Sequence, residues 1–267
     1  MPTRHRPLAV VTGASSGLGR GLATRFAARG YDLVLIARRA ARLQAIAREL
    51  GAEYQVGVRV LVGDLADPCV PEALVADIEA ASDRVDVLVN CAGFGTADEF
   101  VDEDPARIAE EIAVDITAPT LLARLLLPAL LRAPRGVLLN ISSTASHQPL
   151  PTLAVYAAAK GYLTSLTAAI WQETRGSDLR VLALCPGPIA TEFFEVAGTE
   201  RFKVGRVATV EEVVDAAFRA IDRGDAPVVT VGLANRLMAL AVRFVPRRLI
   251  LAAGQRRIAG PEPVRVP

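Results

Sequence analysis

Short runs that are apolar throughout alternate along this chain with longer stretches in which apolar residues recur every three or four positions. The strand-like runs are residues 8–12, 32–37, 58–62, 85–89, 136–141, 180–184 and 228–231. Helical spacing occupies 18–28, the stretch through Leu43, Ile46, Ala47 and Leu50, then 70–81, a long segment within 105–131, and roughly 154–174. Strands without polar alternation are buried on both faces, so the pattern predicts a parallel sheet covered by helices on each side. The expected fold class is α/β, a doubly wound parallel sheet of about seven strands. Ligands of such sheets sit beyond the carboxyl ends of the strands.

The chain has 267 residues, 52% of them apolar, enough to bury a large core in one domain. That domain is expected over residues 1–260, with an amphipathic C-terminal extension at about 233–258 and a loose, Pro-rich tail at 261–267. Thirty basic side chains balance 29 acidic ones, so no basic field is present to gather phosphates, and nucleic acid is excluded as the main partner. Cys69, Cys91 and Cys185 are odd in number, far apart and without metal-like spacing. They read as reduced, mostly buried thiols of a cytoplasmic protein, and no metal site is expected. The first seven residues are basic and lack the apolar stretch of a signal peptide. The leucine-rich stretch 116–131, interrupted by Pro119, Arg124 and Pro128, reads as a buried helix too short to span a bilayer.

Candidate chemistry begins at Thr12-Gly13-Ala14-Ser15-Ser16-Gly17-Leu18-Gly19, which joins the first strand to the first helix. Glycines there let the chain turn sharply, let backbone N–H groups approach a phosphate and let the helix pack closely. The helix N-terminus adds about half a positive charge facing a pyrophosphate. Alone such a turn is a weak signal; at the first β–α junction it points to a dinucleotide. The end of the second strand selects which one. An acidic residue there would hold a ribose 2′-hydroxyl, but the run is Ile36-Ala37-Arg38-Arg39, and Asp32 lies at the opposite end. Arg38, with Arg39 beside it, can pair with a 2′-phosphate through a planar guanidinium. The plainer alternative is a solvated arginine pair at a helix start. NADP is favoured.

Tyr156 and Lys160 stand four residues apart in a predicted helix and so share a face. A phenol with its ordinary pKa near 10 is a poor acid or base at neutral pH. An ammonium about 4 Å away, at an effective dielectric near 20, favours the phenolate by up to ~4 kcal/mol, about 3 pK units. Ser143 follows the fifth strand, at the sheet edge where the cofactor should lie, and its hydroxyl can hydrogen-bond a carbonyl oxygen as it becomes alkoxide. Taken singly, each of these residues is more often a surface or turn residue.

Together they resemble the short-chain dehydrogenase/reductase family, with its Rossmann fold, over about residues 8–232. The resemblance rests on Thr12 to Gly19, on Asp64-Leu65 after the third strand and on Asn90-Cys91-Ala92-Gly93 after the fourth. It continues with Ser143 thirteen residues before Tyr156, Lys160, and the Pro186-Gly187 turn after the sixth strand. It implies an NADP(H)-dependent oxidoreductase acting on a small molecule, with Tyr156 exchanging a proton with the substrate oxygen and Ser143 positioning that oxygen. Lys160 would lower the tyrosine's pKa and hold the nicotinamide ribose. It implies that Gly13, Ser15, Ser16, Gly17, Leu18, Gly19, Arg38, Arg39, Asp64, Leu65, Asn90, Ala92, Gly93, Tyr156, Lys160, Pro186, Gly187, Ile189 and Thr191 hold the cofactor. It also implies a homodimer or homotetramer. One departure matters: the family's usual helix Asn, which holds a water feeding protons to the lysine, is replaced by Asp115 in Val114-Asp115-Ile116. Asp115 joins the catalytic set either by holding the same water or by pairing with Lys160; ionised, it cannot donate hydrogen bonds.

After the Pro-Gly turn, Phe193, Phe194 and Phe202 suggest an apolar lid, and hence an apolar ketone or aldehyde, or else a cap on the core. Cellular NADP is mostly reduced, which favours the reductive direction. From Ala226 to Pro261 there is no acidic residue, and six arginines interleave with Leu, Val and Ile. This segment suits packing on a neighbouring subunit or over the active site, the reading favoured here, or an anionic membrane surface. Two other functions compete with reduction: a non-catalytic NADP-binding or sensing protein, supported only by Asp115, and an epimerase or dehydratase, whose larger substrate domain is not expected at this length.

Overall fold

The computed structural model describes residues 6–197 and 205–258; Phe202 and the tail from Pro261 lie outside them. Strands β1 (Leu8–Thr12), β2 (Asp32–Ala37), β3 (Val58–Val62), β4 (Val87–Asn90), β5 (Val137–Ile141), β6 (Arg180–Cys185) and β7 (Val228–Thr230) form one sheet in the order β3-β2-β1-β4-β5-β6-β7. Every pairing is parallel, as the unbroken apolar runs predict. Because the strands run the same way, the loops after them share one edge. The order reverses between β1 and β4, which opens a crevice there.

Alternate residues of each strand feed two cores. Ala9, Val11, Leu33, Leu35, Val87 and Val89 pack with Leu22 and Phe26 of α1 (Gly17–Ala28), Leu43 and Leu50 of α2 (Ala40–Tyr54), and a helix that precedes β7. Val10, Val34, Leu88 and Leu138 pack instead with Leu74 and Ile78 of α3 (Val70–Ala81) and with a long helix that follows β4.

That long helix differs from its expected form. It runs as α4 (Pro105–Ile112) and α5 (Ala118–Arg132), continuous through one π-helical turn, Ala113–Thr117. By length and composition alone its full extent, Pro105–Arg132, longer than the 116–131 stretch read from the sequence, is enough to cross a membrane. Leu122, Leu126 and Leu130 are nonetheless fully buried against the sheet, and the helix also buries Glu111 and Asp115.

Strand β4 begins at Val87, later than its apolar run suggests, and just before it the buried Asp86 carboxylate accepts the Leu8 N–H at 2.9 Å. The amphipathic helix after residue 205, absent from the expected elements, supplies the first core's last wall. Following α6 (Ala154–Glu173) and the single turn α7 (Phe193–Val196), α8 (Val210–Arg223) brings Val213, Val214, Ala217 and Phe218 inward. A capping box between Thr209 and Glu212 starts it, and Gly224, left-handed at φ 64°, ends it. The chain then makes β7, α9 (Leu233–Ala241) and α10 (Arg247–Ile258).

Candidate active site

Thr12 ties the ends of β1 and β4 together. Its hydroxyl accepts the N–H groups of Cys91 at 3.0 Å and Ala92 at 3.1 Å and donates to the Val89 carbonyl. Gly13 follows at φ +67°, and a Cβ there would lie 2.8 Å from the Ala92 nitrogen. Only glycine fits so close an approach with that backbone. A Cβ at Gly19 would meet the Gly13 carbonyl oxygen, which keeps the first turn of α1 tight on the strand end. The segment after β6 rests on the same turn: a Cβ at Gly17 would sit 3.0 Å from the Thr191 methyl. The result is a tight backbone turn at the crevice, packed on the ends of β1 and β4 and on Thr191.

The arginines after β2 take separate places. Arg39 folds over the glycine turn, donating to Ser15 Oγ at 3.0 Å and Ser16 Oγ at 2.6 Å, and to the Glu192 carboxylate at 2.7 Å. Arg42 donates to the other Glu192 oxygen, also at 2.7 Å. Hydrogen bonds from Arg39 and Arg42 hold the Glu192 carboxyl down at about 2. Arg38 stays exposed, 3.7 Å from Asp64. Arg42 and Glu192 escaped the sequence reading, since only the fold brings residues 150 apart onto one guanidinium cluster. Asp64 itself accepts the Ala66 N–H in a local turn, and Leu65 is buried in the second core.

Asn90 turns inward. Its amide donates to the Asn140 side chain at 2.9 Å and the Pro119 carbonyl at 3.3 Å, and Asn140 donates on to Thr167 of α6 at 2.8 Å. Ser142 Oγ donates to the Lys160 carbonyl at 3.0 Å. These bonds dock α6 against the ends of β4 and β5 and so set the positions of Tyr156 and Lys160. Ser143 caps the short turn Thr144–His147 by accepting the Ala145 N–H at 3.1 Å, and its hydroxyl acts on Tyr156 to lower that phenol's pKa. The Pro186 carbonyl accepts the Thr144 N–H at 2.9 Å, which brings the turn after β6 to the same edge.

Lys160 lies behind the tyrosine, its ammonium 5.5 Å from the ring centre. It donates to the Ile141 carbonyl at 3.3 Å and pairs with Asp115 at 2.8 Å, both partners buried. Of the two roles open to Asp115, direct pairing is the one formed. The carboxylate also accepts the Phe94 N–H at 3.1 Å. The π turn supplies this placement: one extra residue per turn swings Asp115 beneath Gly93, where a Cβ would meet both the carboxylate and the ammonium at 2.9 Å.

The electrostatics correct the expectation of an acidified phenol. Burial pushes the Tyr156 pKa above its usual value; Lys160 and the Ser143 hydroxyl pull it down, while Asp115 and Glu111 push it up again. Burial is the strongest single influence and disfavours the Lys160 ammonium, but Asp115, with Tyr156 and Cys91, raises the pKa overall. Burial pushes the Cys91 thiol up to about 12, consistent with a packing role. Of the three unpaired cysteines only Cys185 is fully buried and Cys69 is exposed, contrary to the expectation of mostly buried thiols. Phe193 packs on Tyr156 with ring centres 5.4 Å apart and on Phe194 at 5.6 Å. Phe194 is buried, whereas Phe193, on the Tyr156 ring, is partly exposed.

A family model described as short chain dehydrogenase matches residues 7–201. The chain is 35% identical to the sulfoacetaldehyde reductase of Chromohalobacter salexigens, over 68% of this chain and 72% of that protein. It is 31% identical to the human inactive hydroxysteroid dehydrogenase-like protein 1, over 68% of this chain and 56% of that one. It spans only 56–60% of the length of three further curated relatives. A solved short-chain dehydrogenase from Sphingobium yanoikuyae, in complex with NADPH, superposes with a TM-score of 0.81 at 32% identity, covering 97% of this chain and all of that one.

A buried acid cluster adjoins the site, and no local signal announced it. Glu111, one helical turn before Asp115, accepts the Thr96 hydroxyl at 2.7 Å and the Thr96 N–H at 3.0 Å, and Glu103 lies 2.5 Å from the same hydroxyl. Glu111 Oε1 is buried without a hydrogen-bond partner. Burial first, then the charges of Asp115 and Glu103, raise the Glu111 carboxyl to about 7, against the bonds from Thr96. A carboxyl raised on folding stabilises the protein below its unfolded pKa near 4.5, and that contribution is lost as pH climbs through 7. The loss amounts to roughly 3 kcal/mol. Glu111→Gln should therefore gain roughly that much relative to the parent between pH 4.5 and 8 in urea unfolding. Parallel pH profiles for the two proteins would show that Glu111 does not carry this proton.

Proposed function

Because the chain belongs to the short-chain dehydrogenase family, we propose that it is an NADP-dependent oxidoreductase, working chiefly as an NADPH-dependent reductase of an apolar ketone or aldehyde. The observation that carries this reading is the meeting of Ser143, Tyr156 and Lys160 at the carboxyl edge of the sheet, beside the glycine turn. The residues present fit the dinucleotide. Gly13 to Gly19 would take the diphosphate together with Thr191, and Ala92 and Gly93 would line the crevice. Asp64 and Leu65 would meet the adenine, and Pro186, Gly187 and Ile189 the nicotinamide end. When bound, NADPH supplies the hydride.

The chain's own groups do the rest. Tyr156 gives its proton to the substrate oxygen, and the Ser143 hydroxyl holds that oxygen as negative charge grows on it. Lys160, kept charged by Asp115, favours the phenolate left behind. Phe193 on the Tyr156 ring offers an apolar wall, which supports an apolar substrate. Free thiols support the cytoplasmic expectation, and a homodimer or homotetramer is what the family implies.

Arg39 already grips a carboxylate, so a 2′-phosphate would find a ready cluster in Arg38, Arg39 and Arg42. Arg39→Ala is expected to raise the KM for NADPH roughly tenfold or more and to leave that for NADH nearly unchanged. An equal change for both cofactors would remove the 2′-phosphate assignment.

Screening NADPH consumption against apolar and polar ketones and aldehydes tests the reaction itself. Tyr156→Phe should lower kcat by about two to four orders of magnitude; activity retained in that variant would overturn the mechanism. The buried Asp115–Lys160 pair favours a second reading, a protein that binds NADP with little turnover, because the carboxylate cancels the charge that should act on Tyr156. Asp115→Asn separates them. In an active enzyme it moves the limb of the kcat/KM profile that belongs to Tyr156 to lower pH, since the anion raises that phenol. A parent that binds NADPH without consuming it, and a variant that consumes it, would establish the second reading.

A further inference from the structure

The C-terminal helices touch their own chain along one side only and leave an apolar row uncovered. No residue of α9 is buried. Leu233, Leu237, Leu240 and Phe244 follow one another at helical spacing and are 73%, 59%, 53% and 81% exposed. Leu249, in the first turn of α10, is exposed as well. An unbroken row of large apolar side chains facing water has a partner or a surface to meet.

The charges beside the row say which. A cleft of about 500 Å³ runs between α8, β7 and α9, lined by Arg219, Arg223, Arg236 and Arg243 together with His147 and Asp225. Leu240 lines the same cleft, so the apolar row and the basic cleft are contiguous. Arg247 and Arg248 extend the positive charge into α10, and no acidic residue lies between Ala226 and Pro261. Pairing this face with itself across a two-fold axis would set arginine against arginine. A surface with acyl chains beneath a layer of phosphates complements both features at once.

We propose that α9, α10 and the adjoining arginine cleft form a docking surface for anionic lipid, with the leucine row entering the acyl boundary and the arginines taking phosphate headgroups. The surface sits beside the site. A Cβ at Gly187, in the turn after β6, would meet the Asn235 amide of α9 at 2.8 Å, and one at Gly254 of α10 would lie 3.3 Å from Pro151, in the loop that leads into α6. Docking therefore brings the mouth of the site to the membrane, where an apolar carbonyl compound dissolves; this consequence rests on the oxidoreductase reading, whereas lipid binding does not.

Vesicle flotation of the full chain, without cofactor or substrate, tests the surface. The protein should rise with vesicles of mixed phosphatidylcholine and phosphatidylglycerol and stay behind with phosphatidylcholine alone. Leu237→Ser with Phe244→Ser, both exposed positions, should weaken binding by at least roughly tenfold. Arg223→Gln with Arg243→Gln should weaken it by roughly 25-fold, about fivefold for each arginine. No flotation with anionic vesicles, or equal flotation with neutral ones, overturns the proposal. So does a dimer in sedimentation velocity that the serine variant dissociates while vesicle binding is absent, which would make the face a subunit contact.

Discussion

The geometry of the site depends on one buried ion pair, Lys160 with Asp115. An ammonium withdrawn from water without a partner costs several kcal/mol, and proteins usually avoid that cost by releasing the proton. Here the carboxylate at 2.8 Å keeps the lysine charged at the back of Tyr156. The same carboxylate opposes what the charge is there to do, because its negative field reaches the phenol and raises it. An amide at position 115 would leave the lysine less firmly protonated and the tyrosine more acidic. Asp115 thus keeps the lysine charged at the expense of part of that charge's effect on the phenol, which releases its proton less readily than it would beside an unpaired ammonium.

The pair can exist only because two backbone features make room for it. The π turn inserts a residue into an otherwise regular helix, and Gly93 leaves empty the space a Cβ would fill between carboxylate and ammonium. From the other side, α6 is pinned by Ser142 on the Lys160 carbonyl and by the Asn90–Asn140–Thr167 chain. Buried polar groups of this kind add little net stability, but each is costly to leave unpaired, so they select one register of helix on sheet. That register decides whether the Tyr156 hydroxyl meets the Ser143 hydroxyl at all.

The parts legible in the sequence were those written in local spacing. Apolar runs placed the strands to within about two residues, and the glycine turn, Ser143, Tyr156 and Lys160 could be read from their offsets and positions after strands. Helix α8 carried equally local signals in Thr209, Glu212 and Gly224, and its omission was a failure to read them rather than a silence of the chain. The acid cluster of Thr96, Glu103 and Glu111 and the Arg39–Glu192–Arg42 clamp are different. Their members are ordinary surface-type residues until the fold juxtaposes them. The direction of the Tyr156 shift was misjudged for a related reason. Spacing reveals the helical neighbour four residues on, but not the dry surroundings or the carboxylate arriving from another helix.

The exposed leucines of α9 pose the same question from outside the core. Composition alone left subunit packing, self-packing and membrane contact open for the C-terminal segment. The fold satisfies self-packing only in part: Met238 and Ala239 are half-buried, but Leu233, Leu237, Leu240 and Phe244 remain exposed. Between the other two, the deciding quantity is charge rather than hydrophobicity. Another copy of the chain can bury leucines as well as a bilayer can, but pairing this face with itself across a two-fold axis sets arginine against arginine. An anionic interface offers acyl chains and negative charge within the height of a single helix.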